Sequence, residues 1–292
     1  MADDILYCFR FSELPGSAAP AGELLSALEL DFSSYDDLEN RTSFFTVYAQ
    51  DEAAREAVLG QWRAASAEWR ELGLLVSEPE CFTLRRAEWA EAWKKFFTPI
   101  EISPRLLVKP SWVEREPLPG QKVLTLDPGM SFGTGQHATT LYCLQQVDRF
   151  AREGGAMLDA GCGSGILAIA AALLGYGPID AFDFDPDAIR VSDENLRINN
   201  MRGKVGLSVG DAADYAGRDG GYDLVCANIL GHLLIAYSRN IVRWVKPTGH
   251  LALAGILSVK FDEVSACYRN LGFREVERVT LREWTSGLFE HA

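Results

Sequence analysis

From about Met157 onward, short apolar runs alternate with longer amphipathic segments. Residues 156–160, 179–184, 205–209, 224–227 and 251–256 have strand character, and the stretches to about Leu174 and to Asn199, then 231–244 and 259–271, have helical character. Strands joined by helix-length connections lie parallel, because a crossover helix returns the chain to the same edge of one sheet. Two final runs, Phe273–Leu281 and Trp284–Phe289, are only two residues apart and read as a closing antiparallel pair. The expected fold class is α/β, a Rossmann-like doubly wound sheet with a closing antiparallel strand.

The amino-terminal part follows another rhythm. Ile5, Tyr7, Phe9 and Phe11 alternate as in a half-buried strand, and Leu24, Leu25 and Leu28 mark a short helix over 21–30. Thr42–Ala49 is rich in β-formers, 51–72 is an Ala/Glu/Arg helical run, and 74–84 returns to strand character. This β-α-β-α-β order predicts a small α+β (ferredoxin-like) domain over residues 1–87. In the WAEAWKKFF segment, Trp89, Trp93 and Phe96 recur at helical spacing and share one face, either as a buried connector or as an aromatic platform for a substrate. The expected linker is 88–104, and the second domain is 105–292.

No run approaches the ~18 apolar residues of a membrane helix, and Met1-Ala2-Asp3-Asp4 carries acid where a signal peptide carries base. A soluble, cytoplasmic protein without membrane contact is expected. The net charge of −13 opposes broad contact with nucleic acid, which needs clustered Lys and Arg, and favours either a basic partner or simple solubility. Six cysteines are scattered with no C-x-x-C spacing, so neither a metal site nor a disulfide framework is expected, and the thiols read as reduced and mostly buried.

The chemistry concentrates around Met157-Leu158-Asp159-Ala160-Gly161-Cys162-Gly163-Ser164-Gly165, an apolar strand entering a glycine-rich turn that opens a helix. Glycines there, Gly161 and Gly163 among them, permit positive φ and close approach of a ligand to backbone N–H groups. A dinucleotide site requires G-x-G-x-x-G, but the third glycine position is Ile166. The observed G-x-G-x-G spacing resembles the first motif of S-adenosylmethionine-dependent methyltransferases. At the end of the next strand, Asp183 and Asp185 lie on one side. Asp185 precedes Pro186 as a helix cap does, which leaves the ribose hydroxyls to Asp183. Asp211 follows the third strand and is either a turn residue or a partner for an adenine amino group. Asn228 ends the fourth strand before a helix, as an N-cap or as an amide that orients an incoming amine. The loop 127–140 has the composition of a cover, with Phe132 facing a sulfonium or adenine, or packing in an interdomain seam.

Five ordered segments resemble the ribosomal protein L11 methyltransferase family: AEWAEAWKKFFTPIEISPRLLVKPSW (87–112), LDPGMSFGTGQHATT (126–140), LDAGCGSGILAIAA (158–171), AFDFDPDAI (181–189) and ANIL (227–230). The resemblance implies S-adenosylmethionine as cofactor, bound by the positions that here are Thr140, Gly161, Asp183 and Asn228. It also implies ribosomal protein L11 as the partner, recognised by a small amino-terminal domain. Two positions depart from the family pattern: Ala138 replaces a proline, and Ala254 replaces the serine of Ser-Gly-Ile-Leu. The first domain carries no specific motif. A lysine methyltransferase of a different protein, a dinucleotide-dependent oxidoreductase and a non-catalytic binding module are the alternatives.

Methyl transfer to an amine needs orientation of a neutral nucleophile more than acid–base groups. His137 is the candidate base, with a structural loop role as its alternative. Asn228 lacks a following Pro-Pro-Tyr, which favours an aliphatic amine over an amide or adenine target.

Overall fold

The computed structural model describes residues 5–17, 21–28, 30–37, 42–85, 97–127 and 137–292. The chain divides into two compact units, Met1–Phe96 and Phe97–Ala292.

The first unit runs β1 (Ile5–Glu13), α1 (Ala21–Ala27), β2 (Phe32–Asp37), β3 (Thr42–Ala49), α2 (Glu52–Trp69), a 3-10 turn (Arg70–Leu72) and β4 (Glu80–Arg85). Its sheet has the order β2-β3-β1-β4 with every neighbouring pair antiparallel, the ferredoxin-like arrangement. Alternation along β1 sends Phe9 and Phe11 into one core with Leu24, Leu25, Phe45, Leu59 and Trp62. Asp51 starts α2 by accepting a hydrogen bond from the Ala54 amide at 2.8 Å.

Two expectations change here. The strand β2 appears where none is expected, because its sequence FSSYDD has no apolar alternation and it occupies an edge, paired on one side only. Within 74–84 only the last part is strand. Leu74 and Val76 are buried, but Val76 makes just an isolated bridge to Glu13. The aromatic face of Trp89, Trp93 and Phe96 lies outside the described residues.

The second unit begins with β5 (Ile100–Ser103), β6 (Leu106–Lys109) and β7 (Lys122–Thr125), a three-stranded sheet in that order. The expected linker 88–104 thus ends in a strand of the second unit; Pro99 and Pro104 bracket four residues too few to show a period. There follow α3 (Ala138–Arg149), β8 (Met157–Ala160), α4 (Ile166–Leu173), β9 (Ile179–Asp183), α5 (Pro186–Ile198), β10 (Val205–Val209) and β11 (Tyr222–Asn228). The unit closes with α6 (Gly231–Ala236), α7 (Ser238–Trp244), β12 (Val245–Leu257), α8 (Ser258–Asn270), β13 (Phe273–Leu281) and β14 (Trp284–His291). The single helix expected over 231–244 is two, because Tyr237 leaves helical geometry at φ −102°, ψ 9°.

The large sheet has the order β10-β9-β8-β11-β12-β14-β13; its first five strands are parallel and β14 is antiparallel to both neighbours. Strand alternation divides the core. Met157, Leu224, Cys226, Ala252 and Ala254 face α3, α4 and α5, whereas Leu158, Val225, Ala227, Leu251 and Leu253 face α6, α7 and α8. The chain winds from β8 toward β10, then resumes on the other side at β11. Such a switch point opens a crevice beyond the carboxyl ends of β8 and β11.

Candidate active site

Beyond β8 the backbone curls through Gly161, Gly163 and Gly165, at φ +76°, +53° and +77°. Side chains are strained at such φ, and a Cβ on Gly161 would also collide with the Ile229 side chain. The loop is pinned to β9: the Gly161 and Cys162 amides donate to the Phe182 carbonyl at 2.9 and 3.0 Å. The Gly163 amide donates to Asp183 Oδ2 at 2.9 Å, and the Asp185 amide donates to Oδ1 of the same carboxylate at 3.1 Å. Asp183 is buried to 8% exposure and fixed in orientation, with one remaining acceptor direction on each oxygen. Asp185, by contrast, is exposed and turns its carboxylate onto its own helix, accepting from the Asp187 amide at 2.9 Å. Geometry separates the two acids that spacing leaves equivalent.

On the other side of the switch point, Asn228 ends β11. Its Nδ2 lies 3.5 Å from Oγ1 of Thr140, a buried residue in the first turn of α3. Its Oδ1 is buried and has no hydrogen-bond partner among the described residues. A buried amide oxygen without a donor costs free energy unless something supplies one. Asn228 caps no helix; Leu230 holds the N-cap position of α6. His137 precedes α3, with Nδ1 2.7 Å from Thr139 Oγ1 and its ring edge-on to Trp284 at 5.2 Å between centroids. Asp211, beyond β10, is exposed and accepts from the Ala213 amide at 2.8 Å, so one of its oxygens serves a local turn. Phe132 and residues 128–136 lie outside the described residues.

Beneath the loop, Asp159 is almost wholly buried and accepts from the Ala168 amide in α4 at 3.1 Å. Burial raises its pKa to about 7; the Ala168 amide opposes the rise and the neighbouring Asp183 charge adds to it. Burial likewise pushes the Cys162 thiol well above its ordinary range. Four of the six thiols (Cys8, Cys143, Cys162 and Cys226) are buried, and all six are free. Among the described residues no cluster of metal-ligating side chains occurs.

The model of the ribosomal protein L11 methyltransferase family matches residues 31–291. The chain belongs to the ribosomal protein L11 methyltransferase family. Among curated L11 methyltransferases, that of Chloroflexus aurantiacus is 37% identical over 228 residues, covering 70% of this chain and 69% of that protein. The Streptococcus thermophilus protein is 35% identical over 259 residues, 88% of this chain and 81% of that one. The crystal structure of the ribosomal protein L11 methylase from Lactobacillus delbrueckii superposes with a TM-score of 0.61 at 26% identity, over 67% of this chain and 99% of that chain.

In this member of the L11 methyltransferase family, the two departures from the family pattern fall beside the crevice without entering the contacts described. Ala138 is the first residue of α3, and Ala254 is a fully buried strand residue next to Gly255. The structure gathers Gly161, Gly163 and Asp183 on one side of the switch point and Thr140 with Asn228 on the other, and leaves Asp211 at the outer strand. Sequence reasoning misses Trp284, which the end-of-hairpin position disguises as a plain strand residue. It also misses Ser192 and Asn195 of α5, whose signal is a polar stripe on a buried helical face.

Proposed function

We propose that this protein is an S-adenosylmethionine-dependent methyltransferase that modifies amino groups of ribosomal protein L11, on lysine side chains, on the terminal α-amine or on both, in the cytoplasm. The observation that carries the reading is the pair of features flanking the switch point: a carboxylate held by two backbone amides, and a buried amide oxygen awaiting a donor. The donor set fits the cofactor. Asp183 takes the two ribose hydroxyls on its remaining lone pairs, Gly161 and Gly163 let the amino-acid end approach the backbone, and Thr140 and Asn228 line the far side. Asp211 would meet the adenine amino group with its second oxygen. When bound, S-adenosylmethionine supplies a methyl group activated on a sulfonium.

The residues of this chain then act by orientation. Asn228 Oδ1 accepts an N–H of the incoming amine, which aims the nitrogen lone pair and satisfies the orphaned oxygen. A free lysine is neutral in about one molecule in 2,500 at pH 7, an α-amine in roughly one in seven, so a desolvating crevice aids either target. His137 keeps its Nδ1 on Thr139, the structural role, and no proton transfer is assigned to it.

Charge supports a basic protein partner. Residues 1–96 hold 18 Asp and Glu against 9 Lys and Arg, most of the acid excess of the whole chain. Recognition of L11 is assigned to this first unit. The deciding experiment incubates the purified protein with labelled S-adenosylmethionine and L11, followed by mass spectrometry of L11, beside calorimetric titrations with S-adenosylmethionine and NAD. Label on L11 amines and saturable binding of S-adenosylmethionine are expected. Saturable binding of NAD alone overturns the reading.

A further inference from the structure

Helix α5 buries a polar stripe. Ser192, Asn195 and Asn199 recur at i, i+3 and i+7 on one face, with exposures of 0%, 7% and 8%. Buried polar side chains are retained at a cost unless each finds a partner, and here the partners share a location. Ser192 Oγ donates to the Gly163 carbonyl at 2.9 Å, and Asn195 Nδ2 donates to the Ser164 carbonyl at 2.9 Å. Asn199 brackets Thr125, the last residue of β7: its Oδ1 accepts from the Thr125 amide at 2.8 Å and its Nδ2 donates to the Thr125 carbonyl at 2.7 Å. Two residues later Asp127, fixed by the Ser111 amide at 2.6 Å and hydroxyl at 2.8 Å, leads into the segment that ends at His137 and α3. The same helix starts at Pro186, three residues after Asp183.

One helix face therefore anchors the glycine-rich loop and the end of β7, and its first turn follows the ribose acid. In a trans peptide the carbonyl and the next N–H point to opposite edges. Holding the Gly163 carbonyl toward α5 turns the Ser164 N–H away from it. Ser192 also packs where a Cβ on Gly165 would lie, 2.8 Å from its Oγ, so the loop sits against the helix with no slack. We propose that Ser192, Asn195 and Asn199 are positioning residues for the cofactor, setting its affinity through the loop backbone and the end of β7 without touching it. The proposal rests on the cofactor assignment above.

The test compares Ser192→Ala, Asn195→Asp and Asn199→Asp with Leu196→Ala, a fully buried apolar residue of the same helix. Asn195→Asp keeps the shape and loses the donor. Asn199→Asp keeps the acceptor for the Thr125 amide and loses both donated bonds. Each variant is assayed in the full chain, well below its Tm, for the Kd of S-adenosylhomocysteine by calorimetry and for KM and kcat with S-adenosylmethionine. The polar variants are expected to raise Kd and cofactor KM roughly five- to fifty-fold, with kcat at saturation within about twofold, as loss of a buried hydrogen bond predicts. Leu196→Ala is expected to lower Tm and leave Kd unchanged. The proposal is overturned if the polar variants lower Tm while Kd stays at the wild-type value, or if Kd rises equally in Leu196→Ala. Should Asn195→Asp fail to fold, Ser192→Ala carries the same comparison. Wild-type protein that fails to bind S-adenosylhomocysteine would instead overturn the cofactor assignment itself.

Discussion

Asp183 and Asp159 are two buried carboxylates beside one glycine loop, and their surroundings give them different environments. Asp183 is held by the Gly163 and Asp185 amides at the end of its strand, where two acceptor directions stay available. Asp183→Ala is expected to weaken S-adenosylhomocysteine binding by about 1.5–3 kcal/mol, the usual worth of hydrogen bonds to a charged group. Calorimetry checks this, and an unchanged Kd would remove the ribose assignment. Asp159 has no such exposure; burial dominates and lifts its pKa to about 7. A folded-state pKa above the unfolded value of roughly 4 means that the native state binds more protons, so stability falls as pH rises between the two values. Asp159→Asn removes the titrating group, and its amide oxygen still accepts from Ala168. Urea unfolding from pH 4 to 7 should show wild type losing a few kcal/mol relative to the variant as pH rises. Parallel curves would show that burial does not raise the Asp159 pKa in the folded protein.

Helix α5 shows where elements were legible and where they were not. Its start is written in Asp185-Pro186, a cap followed by a residue suited to the first turn, and the structure has that cap. Asp185→Ala is expected to cost about 1 kcal/mol of stability while leaving cofactor affinity unchanged, the reverse of Asp183→Ala. Thermal unfolding beside calorimetry separates the two acids. The parallel strands were legible too, because Leu158, Ala181, Val225 and Leu251 belong to runs buried on both faces. Strand β2 was not: as an edge strand it needs few apolar residues, and its serines carry no apolar period, the Ser33 hydroxyl pairing instead with the Tyr48 hydroxyl at 2.7 Å. The four residues of β5 hide between two prolines, and the break at Tyr237 leaves the helical period of 231–244 intact. At the site, motif spacing located Gly161, Asp183 and Asn228, but not the buried oxygen of Asn228 or the stripe under the loop. Those depend on which strand neighbours which, and no local pattern encodes the step from β8 across to β11.

Each unit of the molecule encloses its own apolar core, one around Phe11 and Trp62, the other on both faces of the seven-stranded sheet. The described residues of the candidate site all belong to the second unit, whereas most of the excess acid belongs to the first. A division of labour follows. On the proposed function, cofactor affinity belongs to the unit Phe97–Ala292 and capture of a basic protein to the unit Met1–Phe96. A chain beginning at Phe97 should therefore bind S-adenosylhomocysteine with an affinity close to that of the whole protein, yet methylate L11 poorly. Charge makes a sharper demand on the intact chain. Surface charges farther apart than a Debye length of about 10 Å at 0.1 M salt are largely screened, and steering of a basic partner by an acidic unit weakens as salt rises. Raising salt from about 50 to 500 mM, where the Debye length falls to a few ångströms, should increase the KM for L11 several-fold in the full chain. The KM for S-adenosylmethionine should change little, because its proposed contacts are buried hydrogen bonds rather than long-range fields. A salt-independent KM for L11 would show that the acid excess of the first unit serves solubility, and that recognition of the substrate is carried by uncharged surface.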